Sequence, residues 1–321
     1  MKLIDNGLDD LSRPVFLCTK DIQQAIGIDP KIFYTFLNPK NISYIKIKIP
    51  KRKKGEYREL SIPSPALKNL QRWVLEHILY SFPCHGSANG FIPNKSIVTN
   101  AIPHISKEYI LKMDLKDFFP NITFSMVKNQ FLTMGYNDHV SHSLALLCTY
   151  NDSLPQGAPS SPYLANLLFS PFDELIYTHC SKNNLSYTRY ADDLTISGGK
   201  YILNIPQYVK DILRDSDFQI NNSKTLIIKK GDKKQVTGIV VNEKISIPKN
   251  YLRELRQIIY YINKYGLDSH LKKIDYKGSK YKYINSLYGK ASYIKMVDFK
   301  KGIKIFTELN KISYAARHRA A

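Results

Sequence analysis

The chain has 321 residues, 43% of them hydrophobic, which is enough to bury a sizeable core and to form two or three subdomains. It has no apolar run of about 18 residues and no N-terminal signal-peptide pattern, so we expect a cytoplasmic protein that does not enter a membrane. Lys and Arg outnumber Asp and Glu by 47 to 27, a formal net charge of +20. This charge predicts a polyanionic partner, with a solvated basic surface as the simpler alternative.

The basic charge is concentrated near the C-terminus, where residues 241–321 hold 18 Lys and Arg against 6 Asp and Glu. Tyrosines lie beside lysines there, as in YKGSKYKYINSLYGKASYIK, and their rings could stack on unpaired bases. This pattern favours RNA or single-stranded nucleic acid as the partner. The four cysteines, Cys18, Cys84, Cys148 and Cys180, form no C-x-x-C pair, which predicts reduced core thiols and no zinc site.

The predicted elements begin with an N-terminal helical segment, residues 1–43, in which two short amphipathic stretches flank Gly27 and Pro30. The stretch YIKIKI then alternates apolar residues with lysine. It is followed by the basic PKRKKGEYR and by ELSIP, which together predict a β-hairpin with a cationic tip. Ser64 and Pro65 are typical of a helix start, and the apolar spacing after them predicts a core-facing helix.

The middle of the chain alternates predicted strands and helices. Residues 108–122 predict an apolar strand that ends in acidic residues, and residues 154–162 predict a rigid turn-rich loop before a long helix. Short strands on either side of Asp192 and Asp193 predict an acidic hairpin. The remaining predictions are a helix near 206–215, strands around TLIIKK and QVTGIVVN, and a basic helix from Tyr251.

The acidic residues at strand ends and turns predict a metal site. Carboxylates close together raise one another's pKa values and repel unless a cation lies between them. Asp114 and Asp192 are 78 positions apart, a separation that lets two neighbouring strands present them side by side. Hard carboxylate oxygens without nearby His or Cys ligands favour Mg²⁺ over zinc. In a protein that binds polyanions, these features predict two-metal nucleotidyl transfer.

Three motifs occur in a family order: D-x-x-D-F-F at 114–119, P-Q-G-A-P-x-S-P at 155–162 and Y-A-D-D at 190–193. They resemble motifs A, B and C of reverse transcriptases, and with RELSIP upstream and INNSKT downstream the resemblance covers residues 44–242. NAIPH, from Asn100 to His104, fits the N-A-x-x-H element of retron-type enzymes, and Val236-Thr237-Gly238 fits their V-T-G element. The chain is thus similar to bacterial retron reverse transcriptases.

The resemblance implies an α+β fold of the right-hand polymerase type, with fingers, a palm with an antiparallel sheet and a compact, mostly helical thumb. The implied domains are the N-terminal helical segment at 1–43, fingers at 44–105, the palm with part of the fingers at 106–238, and an RNA-binding thumb at 239–321. The implied reaction is RNA-templated DNA synthesis from deoxynucleotides with two Mg²⁺ ions.

Individual roles follow by position in the motifs. Asp114, Asp192 and Asp193 would be the catalytic metal ligands, with the backbone carbonyl of Leu115 as a further ligand. Phe119 would lie under the incoming sugar and exclude ribonucleotides, although a packing role is the alternative. The other nucleotide-binding residues would be Arg58, Gln156, Gly157, Lys224 as the proton donor to pyrophosphate, and one of Lys51–Lys54 that the sequence does not single out.

RNA recognition would use the retron elements and the basic C-terminal helix. Leu252, Leu255, Ile259 and Ile262 form an apolar stripe, while Arg253, Gln257, Tyr260 and Lys264 fall on another face. Simple solvation is the alternative for each single lysine. The predicted RNA-binding residues are Asn100, His104, Val236, Thr237, Gly238, Arg253, Arg256 and Lys264.

The resemblance also implies partners. One cognate noncoding RNA would supply both template and primer, and the multicopy single-stranded DNA would stay joined to that RNA and bound by the protein. A separate effector or toxin protein would complete an antiphage defence system. The alternatives are a group II intron-like or diversity-generating reverse transcriptase, which NAIPH and VTG disfavour, and an RNA- or DNA-binding scaffold that controls an effector, which the intact acids disfavour.

Overall fold

The computed structural model describes residues 14–38, 41, 43–50, 55 and 57–318, with side chains as far as residue 312. Lys51–Lys54, the predicted hairpin tip, and the first part of the N-terminal segment lie outside the described residues. The helices are α1 Thr19–Ile26, α2 Pro30–Phe36, α3 Pro65–His77, α4 Ile97–Ala101, α5 Phe124–Thr133, α6 Asp138–Cys148, α7 Ser161–Lys182, α8 Ile205–Leu213, α9 Lys249–Tyr265, α10 Leu267–Lys273, α11 Lys280–Val297 and α12 Phe299–His318. The strands are β1 Tyr44–Pro50, β2 Tyr57–Pro63, β3 Tyr109–Lys116, β4 Ser186–Tyr190, β5 Asp193–Gly198, β6 Gln219–Ile220, β7 Leu226–Ile228, β8 Gln235–Val236 and β9 Ile239–Val240.

These elements form two compact units. Unit 1 comprises residues 1–96 and 109–227, and unit 2 comprises residues 97–108 and 228–321. Helices and antiparallel sheets occur together in unit 1, and helices predominate in unit 2, which agrees with the predicted α+β class.

The predicted hairpin near the start of unit 1 is confirmed. β1 and β2 pair in antiparallel register from Tyr44 opposite Pro63 to Pro50 opposite Tyr57. The chain then enters α3 as its first residues predict, because the Ser64 hydroxyl accepts a hydrogen bond from the Leu67 amide and proline occupies the first turn. The apolar side chains of α3 that recur at helical spacing are buried: Leu67, Leu70 and Val74.

The central sheet of unit 1 positions the predicted acidic residues. Its strand order is β4-β5-β3-β6, with β7 also paired to β3, and the described pairings are antiparallel. β3 and β5 are mostly buried, because helices and loops cover the sheet. A cluster of aromatic rings, Phe118, Phe169, Phe172 and Phe218, packs in the core with ring centroids 5.1–5.8 Å apart. A well-packed sheet therefore supports the acidic hairpin.

Unit 2 contains the basic helix α9, whose two predicted faces are confirmed except at Leu252, which is only half-buried. Leu255, Ile259 and Ile262 are buried against α10, α11 and α12, while the polar positions Arg253, Gln257, Tyr260 and Lys264 are exposed. The prediction of one continuous strand at QVTGIVVN is wrong. The structure has the short hairpin β8–β9 instead, because Thr237 and Gly238 adopt positive φ values of 45° and 85° and turn the chain.

The environment of the cysteines agrees with the prediction only in part. All four are free thiols, and Cys148 and Cys180 are buried. Cys18 is exposed, because it lies just before α1 and its backbone amide donates to the Asp21 carboxylate at the helix start. Within the part of the chain that the structure describes, no helix has both the length and the apolar character needed to cross a bilayer.

Candidate active site

The sheet register brings the predicted acidic residues together. β3 and β5 pair so that Asp114 lies directly opposite Asp193, and directly opposed residues project from the same face of a sheet. Asp192 occupies the turn between β4 and β5, where its backbone carbonyl accepts a hydrogen bond from the Leu115 amide at 2.9 Å. The Asp114 carbonyl accepts from the Asn221 amide at 2.7 Å. Backbone hydrogen bonds therefore hold both acidic segments at one end of the sheet.

The turn that carries the acids has an unusual backbone. Tyr190 pairs with Asp193, which leaves Ala191 and Asp192 as a two-residue hairpin loop. Ala191 has a φ of 56° and Asp192 does not have a positive φ, the pattern of a type II′ turn, whose first central position normally carries glycine. Alanine is strained in this region, so the surrounding structure must hold the turn in place.

The carboxylates destabilise one another's charged forms. Desolvation raises the pKa of Asp192, and the nearby Asp114 carboxylate raises it further. Desolvation raises the pKa of Asp193 to about 6, with further contributions from Asp192 and then Asp114. The Asp193 side chain is exposed, and the protein around it still desolvates its carboxylate enough to raise the pKa. Without a compensating cation, desolvation and mutual repulsion disfavour the charged forms of these carboxylates.

Lys224 supplies part of the missing positive charge. Its ammonium group lies 2.9 Å from both carboxylate oxygens of Asp114. This hydrogen bond raises the pKa of Lys224, whereas burial lowers the pKa of Lys112, which faces Asp193 from the neighbouring part of β3. The predicted role of Lys224 as a proton donor stays a prediction. The geometry shows that its ammonium group reaches the acids.

The donor set fits a hard divalent cation chemically. Among the described residues, no group of three or more His, Cys, Asp or Glu side chains is arranged to hold a metal ion. Two of the three acids nevertheless have raised pKa values, and the third holds a lysine ammonium group as a stand-in cation. Carboxylate oxygens without sulfur or imidazole donors are the ligands that Mg²⁺ prefers. Asp114, Asp192 and Asp193 are therefore suitable residues to hold Mg²⁺.

Three more of the residues predicted to bind the nucleotide, Arg58, Phe119 and Gln156, differ in their surroundings. Arg58, on β2, is exposed, and its positive charge offsets a small part of the desolvation that raises the pKa of Asp192. Phe119 is half-buried, with its ring edge-on to Phe118 at 5.6 Å. The Gln156 carbonyl accepts a hydrogen bond from the Ser61 amide at 2.9 Å. Arg58, like Lys224, thus places a positive charge that acts on the acids.

Gly157 has a packing role that the sequence did not indicate. Its φ is 133°, and a Cβ atom at this position would lie 2.7 Å from the Ser61 carbonyl oxygen of β2. Glycine is therefore required for the loop before α7 to lie against the hairpin, whether or not it also approaches a nucleotide.

The two predicted retron elements contact each other in unit 2. The Thr237 hydroxyl donates to the Ile97 carbonyl at 3.2 Å, and α4 packs against β8 and β9. Asn100, His104 and Val236 are buried, at 1%, 0% and 0% exposure, whereas Gly238 is exposed and its carbonyl accepts from the Tyr293 hydroxyl at 3.0 Å. On α9, Arg253, Arg256 and Lys264 are exposed. The RNA-binding roles stay predictions, and the three buried side chains have little surface to offer to RNA.

Sequence reasoning missed a buried polar cluster next to the acidic turn. Arg189, three residues before Asp192, has no exposed surface and pairs with Asp173 of α7, which is also fully buried. Asn166 and Tyr187 complete the cluster. The available signals were a charged residue within the buried strand SYTRY, and Asn166 and Asp173, which lie seven positions apart and so on one face of α7.

The raised pKa of Asp193 predicts the pH dependence of stability in the metal-free protein. A carboxyl group with a folded pKa of about 6 and an ordinary value of 3.8 binds more protons when folded, so its contribution to the free energy of unfolding falls as pH rises through this interval. Asp193→Asn should remove this decrease in the free energy of unfolding at higher pH. In EDTA, the melting temperature of Asp193→Asn should exceed that of the wild type at pH 7, and the difference should shrink at pH 4.5.

Asp138→Asn is the control of opposite sign. A hydrogen bond from Lys128 lowers the pKa of Asp138, so removing this carboxylate should not raise the melting temperature at pH 7. An Asp193→Asn protein that is no more stable than the wild type at pH 7 would contradict the crowding of negative charge at the site.

Comparison with known proteins identifies the family. A family model described as reverse transcriptase (RNA-dependent DNA polymerase) matches residues 49–285. The Retron Ec86 reverse transcriptase of Escherichia coli is 34% identical over 310 residues, which span 95% of this chain and 92% of that protein. The Retron Mx162 reverse transcriptase of Myxococcus xanthus is 32% identical over an alignment 351 positions long, gaps included, which covers 97% of this chain and 69% of that protein. The structure of telomerase from Candida albicans, in complex with a fragment of telomeric RNA, has a TM-score of 0.48 at 11% identity and covers 89% of this chain and 64% of that one.

The family match and the two retron relatives agree with the order of the motifs. The family match spans most of the chain, from the β1–β2 hairpin to α11. The fold is therefore the right-hand polymerase fold, with fingers, palm and mostly helical thumb. The chain belongs to the reverse transcriptase family, among its retron members, and is an RNA-dependent DNA polymerase.

Proposed function

We propose that this polymerase copies one structured noncoding RNA into DNA that remains joined to the RNA, as multicopy single-stranded DNA. The observation that supports the catalytic part of the proposal best is the placement of Asp114 opposite Asp193, with Asp192 in the adjoining turn. The similarity to retron reverse transcriptases supports the choice of product. The proposed division is an N-terminal segment at 1–43, fingers at 44–105, the palm at 106–238 and the thumb at 239–321.

In the proposed mechanism, Asp114, Asp192 and Asp193 would hold two Mg²⁺ ions, and the Leu115 carbonyl would be a further ligand. The chemistry that Mg²⁺ supplies there is activation of a hydroxyl nucleophile and stabilisation of the charge on the triphosphate. Arg58 adds a guanidinium group suited to phosphate oxygens. Lys224, which reaches Asp114 in the structure, donates a proton to the departing pyrophosphate.

The retron part of the proposal concerns the RNA and its use. Template and primer lie in one partner RNA, and the 2′-hydroxyl of a specific guanosine starts DNA synthesis, which gives a branched molecule. The protein keeps the product bound. Together with a separate effector protein, the complex acts in antiphage defence.

The test is to express the chain together with its flanking noncoding locus and to isolate small DNA. The proposal expects DNA that carries covalently attached RNA. Ribonuclease treatment should shorten each such molecule, because RNA is part of it, and should not release an intact RNA strand. Free DNA without attached RNA, made by an enzyme that is active on an ordinary primer, would overturn the branched product while leaving the polymerase activity in place.

Phe119→Ala should relax the discrimination against ribonucleotides. The half-buried ring would lie under the incoming sugar, where it leaves no room for a 2′-hydroxyl, so its removal should raise the relative kcat/KM for ribonucleotides by about 10- to 100-fold. Steady-state incorporation of matched ribo- and deoxynucleotides on one primer and template measures this ratio. Phe172→Ala is the control, because it removes a ring from the core cluster of which Phe118, the ring neighbour of Phe119, is also a member. Equal ratios in the two variants would assign Phe119 to packing alone.

The exposed basic residues of α9 should contribute to RNA binding by neutralising phosphates. Lys264 lies over the rings of Tyr260 and Tyr265, at 5.7 and 5.3 Å, which gives this face both charge and stacking surface. Replacing Arg253, Arg256 and Lys264 by Gln should weaken binding to the cognate RNA. It should also reduce the slope of log affinity against log salt by about 0.7–0.9 for each phosphate that the variant no longer neutralises.

Filter binding across a range of salt concentrations measures that slope. The control replaces Lys31, Lys68 and Lys210, exposed lysines of unit 1, by Gln, which changes the net charge by the same amount. Equal slopes for the two triple variants would show that the effect is one of net charge, and α9 would then have no specific part in RNA binding.

A further inference from the structure

Arg189 and Asp173 form a buried ion pair directly behind the acidic turn. Arg189 is the largest side chain without exposed surface among the described residues, and Asp173 is equally buried. Arg189 Nη2 lies 2.5 Å from Asp173 Oδ2, and Arg189 Nε donates to Asp173 Oδ1 at 2.8 Å. Two parallel hydrogen bonds of this kind fix the plane of the guanidinium group.

Other side chains hold this pair in a single arrangement. The Tyr187 hydroxyl donates to Asp173 Oδ1 at 2.6 Å, and burial raises the pKa of Tyr187 well above its ordinary value, which keeps the hydroxyl protonated. Arg189 Nη1 donates to Asn166 Oδ1 at 2.8 Å, and the Asn166 amide donates to the Gly90 carbonyl at 2.7 Å. The Phe169 ring covers the guanidinium group at 4.8 Å. Little freedom is left to the Arg189 side chain.

The same guanidinium group also bonds the turn that carries the acids. Arg189 Nη1 donates to the Ala191 carbonyl at 3.0 Å, directly before Asp192. Ala191 is the residue with the left-handed backbone, at a φ of 56°. Gly90 closes the turn from the other side, because a Cβ atom at Gly90 would lie 2.8 Å from the Ala191 nitrogen. The turn is thus held by a side chain, by close backbone packing, and by the Leu115 amide on Asp192.

Stability alone does not account for this arrangement. Apolar residues of similar volume generally stabilise a core as well as a buried ion pair does, or better, because the charges need not be desolvated. A strained backbone conformation, on the other hand, persists only where its surroundings determine it, and such sites are concentrated at functional positions. Here the buried Arg189 guanidinium group donates a hydrogen bond to the carbonyl of Ala191, the strained residue.

We propose that Arg189 is a positioning residue, which together with Asp173 holds the Ala191 carbonyl and so fixes the turn that presents Asp192 and Asp193. The inference rests on the proposed catalytic role of these two acids. Arg189 touches neither substrate nor metal ion in this role and acts only through the backbone of the turn. Its loss should therefore lower kcat, since misplacement of reacting groups by about 1 Å can cost about 100-fold, and should leave the KM for nucleotide almost unchanged.

The test uses the double variant Arg189→Met/Asp173→Leu, which replaces the pair by apolar side chains of similar size. On a generic RNA template with a DNA primer, and corrected for the fraction of active enzyme, kcat should fall by about 30- to 100-fold. Without metal or substrate, hydrogen exchange of the Leu115 amide should quicken, because the Asp192 carbonyl that it bonds is no longer held. Gln71→Met is the control, because Gln71 is also fully buried and bonds Tyr44 and the Leu147 carbonyl, away from the turn. It should not change kcat.

Ala191→Gly in the double variant separates positioning from general stability. Glycine adopts a positive φ without strain, so the turn should need the anchor less, and about tenfold of the lost kcat should return. Arg189→Lys keeps the buried charge but lacks the forked guanidinium group that reaches Asp173 and Ala191 together, so it should show the same loss of kcat. This single variant tests the proposal even if the double variant does not fold. A kcat within threefold of the wild type in the variants, or no recovery with glycine, overturns the proposal. Activity retained by Asp192→Asn would instead overturn the catalytic role on which it rests.

Discussion

Asp192→Asn should lower the rate of DNA synthesis by about a thousandfold or more, because it removes a charged oxygen from the group proposed to hold the catalytic cations. Asparagine has the same shape as aspartate, and the carbonyl of residue 192 would still accept from the Leu115 amide, so the turn should persist. Removing this charge should also ease the repulsion that raises the pKa of Asp193. The variant is therefore expected to be folded, at least as stable as the wild type without metal, and inactive.

Two measurements on the same preparation establish this result. The rate of deoxynucleotide incorporation on a generic RNA template with a DNA primer reports activity, and the melting temperature in EDTA reports folding. Asp211→Asn is the matched control, because Asp211 is an exposed carboxylate of α8 that bonds Arg214 and Gln207. It should keep full activity. An Asp192→Asn enzyme within tenfold of the wild-type rate would remove Asp192 from the mechanism.

The local elements were predictable where short-range chemistry decides the conformation. Alternation in YIKIKI and ELSIP predicted the β1–β2 hairpin, and Ser64 with Pro65 predicted the start of α3. The two faces of α9 followed from helical spacing. The prediction failed at Thr237 and Gly238, because a two-residue turn within an apolar run looks like a continuous strand unless the positive φ values are known.

The meeting of the acids was predictable, but their surroundings were not. Strand ends separated by 78 positions can converge in one sheet, and the register of β3 with β5 places Asp114 opposite Asp193. The ammonium group of Lys224 on Asp114, and the packing of Gly157 against Ser61, depend on contacts between segments far apart in sequence. No local periodicity carries that information. The same reason explains why Arg189 looked like an ordinary strand residue.

Asp173→Ala should cause the largest loss of stability among single substitutions at this site. It would leave the Arg189 guanidinium group buried and without its counter-ion, in a core that includes the Phe169 ring. Removing one partner of a buried ion pair typically costs about 3–5 kcal/mol, a large part of the about 5–15 kcal/mol that stabilises most domains. Tyr187 would also lose the acceptor of its hydroxyl. Urea unfolding, followed by the circular dichroism of the whole chain, measures the change.

The double variant Arg189→Met/Asp173→Leu should unfold at a higher urea concentration than Asp173→Ala, although it lacks both charges, because no buried charge is left unpaired. Glu59→Ala, which breaks the exposed pair with Lys46 on the β1–β2 hairpin, should have a far smaller effect, since water solvates both groups there. If Asp173→Ala were as mild as Glu59→Ala, water would have to reach the guanidinium group. The tight enclosure of Arg189, on which its control of the turn depends, would then be wrong as well.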